Sequence, residues 1–350
     1  MTSMLSPFIT RMLLRIITPS YFLKIDLIAV IGQHREEDFN FAFLMDKEFI
    51  RENFYCPGLE KLIGSTEFET LFQIDVFSST KFNFLTRPSD DEIWERMREF
   101  QVNLTILQFC MWVEKDNSVY FPKFYIELQH REHGVGSAEH YHHSNSAVYF
   151  NSSAIQKDVT FCSVEWISFE SYQKTIFSIV SGISNSRIIK KIVFSDKHHI
   201  ALGDANQINY TQINRIIRAI NFIDQARRQQ LFLVKITMYI SALETLFIAE
   251  KTKDEKVAIS MRVGAYLQGA LKNKQQTKGS ITEAYNIRSK YIHGTDDDLL
   301  NDKKIKNICN KIDNILRLCF QRILKSDKAL FQDSVLLPPF LRKLDKIYEE

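Results

Sequence analysis

At 350 residues the chain exceeds an average single domain and accommodates two, each large enough to bury its own core. An ordinary apolar fraction with 27 Phe excludes a disordered chain and a fibrous repeat. The net charge of +3 hides an asymmetry: residues 1–204 carry 20 Lys+Arg against 26 Asp+Glu, a balance of −6, and residues 205–350 carry 25 against 16, a balance of +9. The second half is the one suited to a polyanion, although lysine-rich helices are also commonly just solvated.

Five cysteines, Cys56, Cys110, Cys162, Cys309 and Cys319, stand singly with no CxxC pair, which fits reduced thiols in a cytosol. The segment Met1 to Thr18 is apolar but interrupted by Arg11 and Arg15 and lacks a small-residue cleavage site. It fits a secretory signal poorly and reads as a core strand or helix rather than an amphipathic surface helix. No uncharged stretch reaches the length needed to span a bilayer, so a cytoplasmic protein is expected.

In chain order, the aromatic and β-branched runs Phe22 to Ile31, Asp38 to Met45 and Phe68 to Phe77 read as strands. Thr105 to Glu114, Val119 to Leu128, Ala147 to Phe150, Val159 to Phe169 and Ile188 to Ser195 continue that pattern. Two helices interrupt it: Asp90 to Gln101, opened by Ser89 with Glu92 three residues on as a capping box, and Ser171 to Ser181, stopped by Gly182. The polar segment Asp196 to Gln207 places a boundary near residue 204, after a β-rich domain of residues 1–204.

Past it the apolar period changes to that of a helix, with Ile213, Ile216, Ile217, Ile220 and Ile223 on one face. Leu231 to Glu250 follows, with Leu243, Leu246 and Phe247 inward, then Asp254 to Leu271 with Val257, Met261, Ala265 and Leu267 inward. A polar loop from Lys272 to Gly279 leads to a helix from Ser280 to His293, opened by a Ser280/Glu283 capping box, with Ala284, Ile287 and Tyr291 apolar and Gly294 as an αL cap. Asn301 to Leu324 closes the series with Ile305, Ile308, Ile312, Ile315, Leu316 and Cys319 on one face. The expected class is α+β: a β-rich amino-terminal domain, then an all-α bundle over residues 205–350.

One constellation in the bundle carries chemistry: Arg288-Ser289-Lys290-Tyr291-Ile292-His293, followed by Gly294 and the acidic run Asp296, Asp297, Asp298. Histidine exchanges a proton near neutral pH, and arginine offers a permanent fork for a phosphate. RNA supplies both targets, a 2′-OH to deprotonate and a phosphate whose charge grows in the transition state. Five residues at about 100° each separate Arg288 and His293 by roughly 140° on a helix, so a shared site needs an unwound last turn or two copies of the helix. Taken alone, a helix-terminal histidine is also a dipole-stabilised cap.

Arg288 to His293 matches the R-x(4)-H form of the HEPN signature. Ala242-Leu243-Glu244-Thr245-Leu246-Phe247, and Lys256 to Leu267 with Arg262, resemble the preceding helices of the ApeA-like branch of that family, in the same order. The resemblance covers about residues 207–325; the first domain is only loosely similar to the one found in that branch. It implies a metal-independent endoribonuclease of anti-phage defence by abortive infection, acting as a homodimer that joins two signature motifs in one cleft. The product would carry a 2′,3′-cyclic phosphate. On this reading His293 activates the 2′-OH or protonates the leaving oxygen, Arg288 holds the scissile phosphate, and Ser289 and Lys290 contact substrate. Active members often carry Asn, Asp or His where Ser289 stands; Ser can still donate and accept a hydrogen bond. RNA, such as tRNA, is the expected partner, with a phage-derived trigger at the first domain and no cofactor, metal or membrane. The alternative is an inactive HEPN module that dimerises or docks RNA.

His130, His133, His140, His142 and His143, with Glu132 and Glu139, are the densest group of metal-ligand types, but Gly134, Gly136, Ser137, Ser144 and Asn145 mark the stretch as a polar loop rather than a Zn²⁺ site. His198 and His199 read as a surface pair. Phosphate-loop, esterase-elbow, dinucleotide and HExxH motifs are absent from the sequence, as are internal repeats.

Overall fold

The structure is a computed structural model that describes residues 12–25, 41–45, 56–74, 76–130, 138–181, 213–250, 254–268, 274–294, 302–332 and 334–349. Its architecture is α+β, an antiparallel sheet in the amino-terminal part followed by helices. Two compact units are interleaved in sequence: residues 1–104, 119–147 and 158–163 form the first, and residues 105–118, 148–157 and 164–350 the second. The arrangement differs from a single cut at 204/205, and residue 204 itself lies outside the described residues.

In the first unit, β1 (Met12–Pro19) is the central strand of a five-stranded sheet, paired antiparallel with β4 (Phe77–Phe84) on one side and β5 (Lys123–His130) on the other. β3 (Phe41–Met45) and β6 (Ala138–Ser144) are the edges. β1 is buried on both faces, which explains why its sequence MLLRIITP is nearly continuous apolar rather than alternating. The core reading of the amino-terminal segment therefore holds for residues 12–18. A short parallel pair joins β2 (Leu23–Ile25) to β7 (Val159–Phe161).

Two short helices, α1 (Cys56–Ile63) and α2 (Ser65–Leu71), place Leu59 and Leu71 against Ile17, Phe77 and Tyr125. Gly64 breaks them at φ +83°, a conformation that costs glycine little and other residues more. The long helix α3 (Asp90–Glu114) starts as expected, with the Glu92 amide donating to Ser89 Oγ at 3.2 Å. Phe100 meets Phe124 edge-on, and Trp94 meets Tyr141.

Three expected strands are corrected to helix, two of them wholly or in large part and the Phe68 to Phe77 run in its first four residues. Residues 68–71 belong to α2, residues 105–114 to α3, and residues 163–169 to α4 (Ser163–Ser181). All three are aromatic and β-branched runs whose composition imitates a strand's, and the 105–114 run is also buried on nearly every side. The 147–150 segment is irregular, and 188–195 lies outside the described residues.

In the second unit α6 (Phe232–Phe247) is the hub, packed against α5 (Arg215–Arg227), α7 (Glu255–Tyr266), α8 (Lys274–His293) and α9 (Asp302–Arg322). A π-helical turn (Ile323–Asp327), α10 (Lys328–Gln332) and α11 (Leu337–Glu349) complete the chain. The isoleucine face of α5 and the apolar face of α9 are buried as read. In α7 Ala265, and Leu267 just after it, are buried as expected, whereas Val257 is exposed and Met261 half-buried, and Ile259, Val263 and Tyr266 complete the buried face.

This unit encloses an unusually polar interior. Asp313, fully buried, accepts from Trp112 Nε1 at 2.9 Å, Tyr239 Oη at 2.8 Å and Arg317 Nε at 3.0 Å. Lys235, also buried, donates to the carbonyls of Ala226, Gln229 and Phe150 at 3.1, 3.3 and 3.5 Å, replacing the water its ammonium loses.

Asp116 accepts from Ser152 Oγ at 2.6 Å and from the Ser152 amide. Burial, then the charge of Asp313, push its carboxyl up from 3.8 to about 6, against the Ser152 hydrogen bonds. The native state thus keeps this proton to a higher pH than the unfolded chain, so the stabilisation is full below about pH 4 and is lost as pH rises through 6. The swing amounts to about 3 kcal/mol. Urea titrations at pH 4 to 7 should show this slope in wild type and a flatter profile in Asp116→Asn; equal slopes would remove Asp116 as the cause.

Candidate functional site

α8 is the helix that presents the R-x(4)-H motif, and it begins earlier than the sequence reading placed it. Lys274 opens it, and Ser280 lies inside it, donating its hydroxyl to the carbonyl of Gln276 at 2.9 Å. The Ser280/Glu283 capping box is therefore corrected: Ser280 is buried, and a Ser inside a helix satisfies its hydroxyl by bonding back one turn. The far end is as read, with Gly294 at φ +64° after His293.

Ala284 and Ile287 face the bundle, which turns Arg288 toward α6. There the Arg288 guanidinium forms an ion pair with Glu244 through Nη1 and lies over the Tyr285 ring, 5.4 Å from its centre. Tyr285 also bonds the Glu244 carboxylate; burial first and that carboxylate second push the phenol up, so it remains a proton donor. Three side chains from two helices thus lock one another. Among the described residues the lock spends one of the arginine's five donors. Its buried Nε has no hydrogen-bond partner among the described residues.

His293 is exposed at the last helical position, and Tyr291 and Ile292 beside it are 41% and 55% exposed. Tyr291 was expected inside, but three residues of the last turn face outward instead. α8 stays α-helical through His293, so within one chain Arg288 and His293 diverge by roughly 140° and the imidazole does not meet the guanidinium. Ser289 is exposed and Lys290 half-buried on the same turn. Asp296, Asp297 and Asp298 lie outside the described residues.

Neither Glu244 nor Tyr285 was singled out as a site residue from the sequence. The signal was available in part: Glu244 is a lone acid in the apolar run Ala242 to Phe247, and a carboxylate buried at such a position requires a partner. Arg262 has a structural part. It donates to both carboxylate oxygens of Asp345, at 2.8 and 2.9 Å, and to the carbonyl of Phe247, closing the carboxy-terminal end of α6.

The histidine-rich stretch is corrected from loop to strand over 138–144. Alternation in β6 sends His140 and His142 to one face and Tyr141 and His143 to the other. His140 pairs with the buried Glu127 at 2.9 Å, and His130 with Glu139 at 3.3 Å. Arg87 holds Glu139 well below the usual carboxylate range. Among the described residues no three of the metal-ligating side chains converge; His133, His198 and His199 lie outside them.

No family model, no curated protein and no solved structure matches this chain. Among the described residues no helix is long and apolar enough to cross a membrane.

Proposed function

We propose that the protein is a metal-independent endoribonuclease of the HEPN type, cytoplasmic, acting in anti-phage defence by abortive infection on tRNA or other cellular RNA. The observation that carries this reading is Arg288: a half-buried guanidinium held by Glu244 and Tyr285, with a buried Nε that has no partner among the described residues, on the same helix end as an exposed histidine.

The divergence of Arg288 and His293 within one chain supports a site built from two copies. The exposed Tyr291 and Ile292 next to His293 supply apolar surface for that contact. In such a cleft one imidazole takes the proton of the 2′-OH, the 2′ oxygen attacks phosphorus, and the bond to the 5′ oxygen breaks. A second imidazole returns a proton to that leaving oxygen. The arginines stabilise the phosphorane charge, and the products are a 2′,3′-cyclic phosphate and a 5′-OH. The first unit then serves as the sensor of a phage-derived trigger that holds or releases the nuclease.

Glu244 acts here as a positioning residue. Glu244→Gln keeps the shape and removes the charge that fixes the fork, so kcat should fall about tenfold with a small change in KM. An unchanged kcat would show that Arg288 needs no such support.

The deciding experiment is incubation of total bacterial RNA with the purified protein in excess chelator, with identification of the product ends. Cyclic-phosphate ends support the proposal. Intact RNA from a protein whose expression also leaves cells unharmed overturns it in favour of an inactive HEPN module that docks RNA.

A further inference from the structure

The first unit carries a cleft of about 580 Å³ between α2 and the sheet, within the range of small-molecule sites. Its polar wall is one linked set. Glu67 on α2 accepts from Lys123 Nζ at 2.8 Å and from Tyr125 Oη at 2.9 Å, both through the same carboxylate oxygen, Oε1. Glu67 Oε2 takes no hydrogen bond among the described residues, and Lys123 spends one of its three donors on this pair. Burial, with the Glu67 carboxylate behind it, pushes the Tyr125 phenol well up, so it stays a donor that pins Glu67 in place.

The rest of the lining is mixed, with Ser65, Thr66 and Thr70 beside an apolar part. Ile63 and Leu71 flank the pair, and the Tyr21 ring is propped by stacking on Tyr120, with centroids 5.3 Å apart. The cleft therefore offers a fixed anion, a fixed cation beside it and a preformed aromatic and aliphatic surface.

We infer that this cleft binds a small zwitterion of the α-amino-acid kind with an apolar or aromatic side chain. The ligand's ammonium meets Glu67 Oε2, its carboxylate meets the unspent donors of Lys123, and its side chain lies on Tyr21, Ile63 and Leu71. Four charges of alternating sign then close a ring in which none is left uncompensated. A ligand with one charge leaves that ring open, and phosphate compounds are disfavoured because Lys123 is the single cation among the described lining residues. The inference is independent of any ribonuclease activity.

The test is isothermal titration of the full-length protein with the twenty free amino acids, followed by the N-acetyl and the amide derivatives of whichever binds. Saturable binding of an apolar or aromatic amino acid is expected, weakened about tenfold or more when either end is neutralised. Glu67→Gln and Lys123→Met should each weaken it similarly. Thr70→Trp, which leaves the charged pair intact but fills the cleft, should abolish it without changing the circular dichroism spectrum. No saturable heat from any free amino acid, or equal binding of the blocked derivatives, overturns the inference.

Discussion

Alanine at position 293 is expected to lower RNA cleavage by about 10²- to 10⁴-fold, the range typical of losing a positioned acid or base. His293 is exposed, so the protein should melt as wild type does. The loss would be one of chemistry. Arg288→Ala is expected to cost about 10²- to 10³-fold through the missing phosphate contact. Arg288→Lys should recover little of it, because an ammonium cannot span two phosphate oxygens while a third donor stays on Glu244.

The two substitutions differ in a way that tests the assignment of roles. Removing Arg288 also strands the Glu244 carboxylate against Tyr285, so a modest loss of stability should accompany it, about 1 kcal/mol for a pair that is one-fifth exposed. The measurement is single-turnover cleavage of a defined RNA in chelator, beside urea titration of each variant. If His293→Ala cleaves at the wild-type rate, the ribonuclease reading of this helix end fails, whatever Arg288→Ala does.

The helical unit was legible because its helices are amphipathic and long enough for the three-and-four period to declare itself. Ile216, Ile220 and Ile223 on α5, and Ile308, Ile312 and Leu316 on α9, went where that period sent them. The part of the chain before these helices was read less well for a related reason. In α3, the run Thr105 to Glu114 is buried on nearly every side, so neither period survives and composition alone suggested a strand. In β4, Ser78, Ser79 and Thr80 are buried polar residues in a central strand, an environment that composition does not announce.

At the site, the motif spacing located Arg288 and His293 but not what surrounds them. Contacts such as Glu244 to Arg288 join residues 44 apart in sequence, and only the packing of α6 against α8 brings them together. The same holds for the Lys123–Glu67–Tyr125 set, in which the two strand residues meet an acid from a short helix whose second half reads as strand from the sequence.

The largest effect on stability should come from Asp313→Ala. Its buried carboxylate is the common acceptor for Trp112, Tyr239 and Arg317. Each buried donor left unpaired costs about 1–3 kcal/mol, and stranding one member of a buried charged set costs about 3–5 kcal/mol in all. Asp313→Asn retains an oxygen for Trp112 and Tyr239 but not the charge for Arg317, so it should lose less than half of that. The charge of Asp313 also helps to hold the Asp116 carboxyl near 6, so both variants should lower that value and flatten the stability slope between pH 4 and 6. Chemical denaturation followed by tryptophan fluorescence measures both effects at once, since Trp112 reports from inside the network. A destabilised Asp313→Ala whose pH slope is unchanged would mean that the two carboxylates do not sense each other, and that burial alone raises Asp116.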